Sequence, residues 1–128
     1  MTRHALRIAL PLVLLAGPST AQSPQVVAVQ LSNFDFTPRT IVLESGRPYL
    51  LRLHNVAGGG HNFVSRPFFA AASVAPGDRR WVQDGGVEVP SGQVRDIRLA
   101  APAAGRYKLK CTHRFHKTLG MSGSIIVR

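Results

Sequence analysis

From Arg106 to Cys111 the chain alternates without a break: Tyr107, Leu109 and Cys111 fall on one side, Arg106, Lys108 and Lys110 on the other. A period of two is the geometry of a half-buried β-strand, whereas a helix would scatter those cations around its circumference. The same alternation recurs in Val26 to Leu31, Thr40 to Leu43, Tyr49 to Asn55, Val94 to Leu99 and Gly123 to Val127. In the Tyr49 to Asn55 segment, Leu51 and Leu53 lie opposite Arg52 and His54. Segment after segment stops at Gly, Pro or Asn, as at the turn Glu44-Ser45-Gly46 and the Pro102 to Gly105 break. Six or seven short strands with long crossovers predict an all-β fold, a Greek-key β-sandwich. Between residues 67 and 90 the pattern dissolves. Phe68 to Ala72 reads as a short helix, and Pro76-Gly77 and Gly85-Gly86 suggest a long, partly helical crossover over the outside of the sandwich, with Phe68-Phe69 as core or docking surface.

The first two dozen residues carry a different signal. Arg3 and Arg7 precede an apolar run from Ile8 to Ala16, and Ser19-Thr20-Ala21 places small residues where a signal peptidase reads. Residues 1–21 are therefore expected to be a signal peptide and 22–128 a single domain, with export to the periplasm or an equivalent compartment. The run is broken by Pro11 and Pro18 and falls short of the roughly 20 residues a membrane-spanning helix needs. No stable membrane insertion is expected.

Export usually invites disulfides, yet the chain has one cysteine. That leaves a reactive thiol, a bridge to another molecule or a metal ligand. Sixteen Lys and Arg stand against six Asp and Glu. Loss of Arg3 and Arg7 with the leader keeps a net charge of +8. Those cations are scattered rather than gathered into an arm, which argues against a nucleic-acid partner and for acidic protein partners or an anionic surface.

Cys111 closes the inward face of its strand, and the following segment to Met121 holds the one methionine besides the initiator, together with His113 and His116. Another histidine, His61, follows three glycines fifty residues upstream, a separation that strands have to close. One thiolate, two imidazoles and a thioether suit copper cycling between two oxidation states, in a trigonal site with a weak axial Met. His61, Cys111, His116 and Met121 are the expected ligands. His113, two residues after the cysteine, either competes for the metal or sits beside it and tunes it. His54 reads as a surface residue.

Gly60-His61-Asn62 and the segment from Cys111 to Met121, followed by Gly123 and an apolar strand, resemble the cupredoxin (type 1 blue copper) family over essentially the whole exported chain. The five-residue step from Cys111 to His116 resembles the ligand loops of azurin and rusticyanin, and the further five from His116 to Met121 resembles that of rusticyanin. That resemblance implies His61, Cys111 and His116 as equatorial ligands and Met121 as the axial one. It further implies a possible weak contact from the Gly60 carbonyl and a brace from Asn62 to the region of Thr112. By the same analogy His116 is the electron exit, inside an apolar patch of Phe115 and Leu119 rimmed by Arg114 and Lys117.

These readings converge on a monomeric, exported carrier of single electrons that holds one copper ion, serves redox proteins acidic at their docking surfaces and does no substrate chemistry of its own. The alternative is a periplasmic copper-binding or delivery protein using the same ligands. The absence of Met or His clusters for capturing ions favours the carrier.

Overall fold

The computed structural model describes residues 11–18, 23–113 and 120–128. Its strands in chain order are β1 (Gln25–Ser32), β2 (Asp35–Thr37), β3 (Thr40–Leu43), β4 (Pro48–Asn55), β5 (His61–Val64), β6 (Ser73–Val74), β7 (Val82–Gln83), β8 (Gly86–Val89), β9 (Val94–Ala100), β10 (Gly105–Lys110) and β11 (Ser122–Val127). A short helix, α1 (Arg66–Ala71), and a 3-10 turn, Pro76–Trp81, interrupt them. The strands form a five-stranded sheet in the order β2-β1-β4-β9-β6 and a six-stranded sheet in the order β3-β11-β10-β5-β8-β7. Parallel pairings of β1 with β4 and of β3 with β11 carry the crossovers of the sandwich. The all-β sandwich is thus observed, with eleven strands among the described residues where six or seven were expected, because several are only two to four residues long.

Period-two alternation works out as the sequence dictates. Leu51 and Leu53 of β4 are buried while Arg52 and His54 are exposed, and Val29, Leu31, Ile97 and Leu99 join them from β1 and β9. Facing them are Ile41, Leu43, Phe63, Val87, Val89, Leu109, Ile125 and Val127 of the second sheet. Burying each such side chain contributes roughly 1.5–3 kcal/mol against its solvated state. Gly123 fits where nothing larger does, since a Cβ there would stand 2.3 Å from the Arg39 carbonyl oxygen.

Of the two alternatives for Phe68 and Phe69 the core is observed: they pack edge to face on each other at 5.3 Å, with Phe69 against Phe63 and Phe68 against Tyr107. The stretch from 67 to 90, however, is not a mere outer crossover. It contributes β8, whose Val87 and Val89 are fully buried and which pairs along its length with β5. Asp84 and Gly85, both at positive φ between the paired residues Gln83 and Gly86, form the two-residue hairpin that starts β8. Adjacent glycines and a single buried-face pair of valines hid so short a strand.

Candidate metal centre

Strands β5 and β10 pair at one position, Lys110 with Val64. Beyond it they part, and backbone donors that a longer ladder would engage find other acceptors. The Thr112 N–H donates to Asn62 Oδ1 at 2.8 Å, Asn62 Nδ2 donates to Thr112 Oγ1 at 2.8 Å, and the Asn62 N–H points at Cys111 Sγ at 3.5 Å. The wedge between the strands is therefore braced by Asn62, and the thiol of Cys111 sits at its apex, one residue past the end of β10. On the other flank the Cys111 N–H donates to the Met121 carbonyl at 3.0 Å, which closes the base of the intervening loop.

Cys111, Met121 and His61 are all buried, with 0%, 0% and 1% of their surfaces exposed. His61 Nδ1 stands 3.9 Å from Cys111 Sγ. Bond lengths of about 2.0 Å to nitrogen and 2.3 Å to sulfur, as at zinc, would separate two donors of one metal by about 3.5–3.7 Å at tetrahedral to trigonal angles, within about 0.4 Å of the observed separation. The pair fits a shared first-row metal ion with little movement. Burial pushes the Cys111 thiol above its ordinary value, the charge of Glu88 adds to the rise, and the amide donors of Asn62 and His113 oppose it. A proton therefore stays on the sulfur until a metal displaces it.

Among the described residues no group of three His, Cys, Asp and Glu side chains converges, since Met121 brings a thioether and His116 lies outside those residues. Arg114, Phe115, Lys117 and Leu119, the expected docking patch, lie outside them too. His113 is described: its Nε2 meets Glu88 Oε1, and its ring centroid is 6.4 Å from that of His61. Its Cε1 would lie 3.3 Å from a Cβ on Gly60, so glycine is the residue that lets this ring close on the backbone beside His61. His54 is exposed on β4.

Asn55 was not expected to matter. It is fully buried at the end of β4, where Nδ2 donates to the carbonyls of Gly59 and Val89 at 2.9 and 2.8 Å and Oδ1 accepts from the Ala57 N–H at 2.9 Å. The glycine run is thereby a clamped turn, and His61 leaves it on a fixed path. An asparagine closing a strand just before three glycines was the available signal.

The chain belongs to the cupredoxin-like domain family, whose model matches residues 5–127. Its fold is shared with solved structures at low identity. Dithionite-reduced auracyanin from Roseiflexus castenholzii is 16% identical, with 84% of this chain and 99% of that one covered and a TM-score of 0.61. Auracyanin A of Chloroflexus aurantiacus, a blue copper protein, is 18% identical, with 83% and 100% covered and a TM-score of 0.59. A multicopper oxidase of Campylobacter jejuni is 11% identical; 88% of this chain matches 32% of that one, with a TM-score of 0.62. No curated protein sequence matches the chain. Membership of this family makes a single copper ion the cofactor, in keeping with a buried thiol and imidazole at metal-sharing distance.

Proposed function

We propose that the protein is an exported, soluble carrier of single electrons, with copper held by His61, Cys111, His116 and Met121. The observation that carries this reading is the His61 Nδ1 to Cys111 Sγ approach inside a stiff, braced wedge between two strands. A copper that changes oxidation state needs ligands that do not rearrange, and Asn55 and Asn62 fix two of them from neutral, buried or half-buried positions. When bound, the copper supplies the one-electron couple; the protein supplies donors, shields them from water and sets their orientation. Auracyanins of matching length support a carrier over an oxidase, since the oxidase is about three times longer than the stretch this chain covers.

Export rests on the N-terminal composition and on the exposure of Leu12, Val13, Leu14 and Leu15, which add nothing to the core. Among the described residues no helix is long and apolar enough to cross a membrane. Acidic redox proteins remain the proposed partners, on the strength of the +8 charge.

The test is spectroscopic. Copper(II) added to the purified protein is expected to give an intense visible charge-transfer band and a reversible one-electron potential, and Cys111→Ser is expected to abolish the band. A colourless copper complex would refute the site, and a blue but electrochemically inert one would favour copper delivery.

A further inference from the structure

Beside the wedge lies an open cleft of about 540 Å³, with Asn62 and Thr112 in its wall. Three arginines line it from separate elements: Arg66 at the start of α1, Arg80 in the 3-10 turn and Arg95 on β9. Among the described residues none of the three is in an ion pair, although Arg39, Arg47, Arg52 and Arg98 each have a carboxylate partner. The guanidinium carbons of Arg80 and Arg95 lie 4.9 and 4.5 Å from the centroid of Trp81, which also lines the cleft. Arg95 Nε is buried there with no hydrogen-bond partner among the described residues. Two carboxylates share the lining: Glu88 is engaged by His113, which leaves Asp84 against three cations.

The positions are built. A Cβ on Gly85 would stand 2.5 Å from Arg66 Cα, and the Ser65 N–H donates to the Gly85 carbonyl at 3.0 Å. The Asp84-Gly85 hairpin thus holds Arg66 against the cleft, and the Trp81 ring holds the other two guanidiniums extended. Arginine and tryptophan, ordered before a partner arrives, are the residue types that dominate protein interfaces.

We infer that this cleft is the docking site for a carboxylate-rich segment of the acidic redox partner, seated against Arg66, Arg80, Arg95 and Trp81. The inference rests on the electron-carrier reading and gives its partner a place. Two features select a peptide over a free anion. Its volume would leave a single phosphate mostly surrounded by water, and its cations come from three separated elements. The aromatic face offers apolar contact that an inorganic ion has no use for. The wall reached by such a segment is Thr112, covalently joined to Cys111, so the partner sits one residue from the sulfur proposed to hold the metal.

Trp81 is the only tryptophan in the chain, so its fluorescence reports on the cleft directly. Hexaglutamate titrated into the reduced, copper-loaded protein at low salt is expected to change that emission saturably. The pair Arg66→Glu and Arg80→Glu is expected to weaken binding by about tenfold or more, as loss and reversal of two exposed charge contacts would. Arg106→Glu, the same kind of charge change on β10, is expected to leave it within about twofold. Should the pair of substitutions unfold the chain, Arg80→Glu alone is read instead, with about half the effect in free energy. The inference is overturned by no saturable change in the wild type, by equal loss in Arg106→Glu, or by inorganic phosphate matching hexaglutamate at equal charge. It is equally overturned if vesicles of anionic phospholipid change the emission and the peptide does not. Because the titration needs no colour or potential, failure of the carrier reading would show in the visible spectrum of the same preparation once reoxidised to copper(II), and is told apart from failure of the cleft.

Discussion

The two sides of the Cys111 thiol are built from different materials. Inward, His61, Met121 and Asn55 are buried, and the polar groups of Asn55 are satisfied by backbone at fixed distances. Outward, Asn62, Thr112, His113 and Glu88 are half-buried or exposed, and the arginine cleft opens beside them. Hydrogen bonds among buried groups cost most when broken, because the stranded partner has no water to turn to. Exposed charges cost little to lose but act at a distance. The inner side accordingly decides whether a metal site exists, and the outer side decides how it is tuned and met.

Asn55→Ala tests the first half of that contrast and carries the largest expected effect. It strands the Val89 carbonyl and the Ala57 N–H in the interior and frees the Gly59 carbonyl at its edge. A loss of about 3 kcal/mol in unfolding free energy of the copper-free protein is expected, by denaturant titration, together with weaker copper binding. A loss below about 1 kcal/mol would show that the glycine turn is held without it.

Next in size is a pH effect centred on the thiol. Burial raises the Cys111 pKa in the folded, metal-free protein, so folding keeps a proton that the unfolded chain gives up at a lower pH. The stability this group lends is complete below the ordinary thiol range and falls as pH rises through it toward the folded value. Copper binding has the opposite sign: it expels that proton, so affinity is expected to rise about tenfold per pH unit below the raised value. Copper competition titrations at several pH values measure the slope, and a flat profile would mean that the thiol is already ionised before metal arrives.

How much of this was legible follows from the same division. Tyr107, Leu109 and Cys111 announced an inward face through local alternation, and the all-β sandwich came from such patterns. Gly60, His61, Asn62 and Thr112 were legible by family resemblance. Asn55 was not, because an asparagine at a strand end reads as a stop signal until the backbone it clamps is in place. Strand β8 escaped notice because its partner β5 lies more than twenty residues back and its own four residues hold too few apolar positions for a period. Its Asp-Gly hairpin was readable, and the Gly85-Gly86 pair drew attention away from it. The cleft was beyond reach, since Arg66, Trp81 and Arg95 meet only through tertiary packing.

Asn62→Ala sits between the two sides and is expected to cost about 1 kcal/mol, with a shifted visible band rather than a lost one. It removes both contacts to Thr112 while leaving its own N–H aimed at the sulfur. A band that vanishes would make the side chain part of the inner wall.

The smallest expected change is the sharpest for the site. His113 is paired with Glu88, a contact in which the carboxylate is mostly exposed, so Glu88→Gln should alter stability by no more than about 0.5 kcal/mol. If that pairing holds His113 beside the metal rather than on it, His113→Ala should keep the charge-transfer band and His116→Ala should lose it. The pair of variants reverses its outcome if His113 is a ligand, and Glu88→Gln would then disturb the band as well, because the carboxylate would be orienting a metal-bound ring. A largely exposed His113–Glu88 pairing that leaves the colour untouched places the boundary between making the site and tuning it at residue 113, two positions beyond the sulfur.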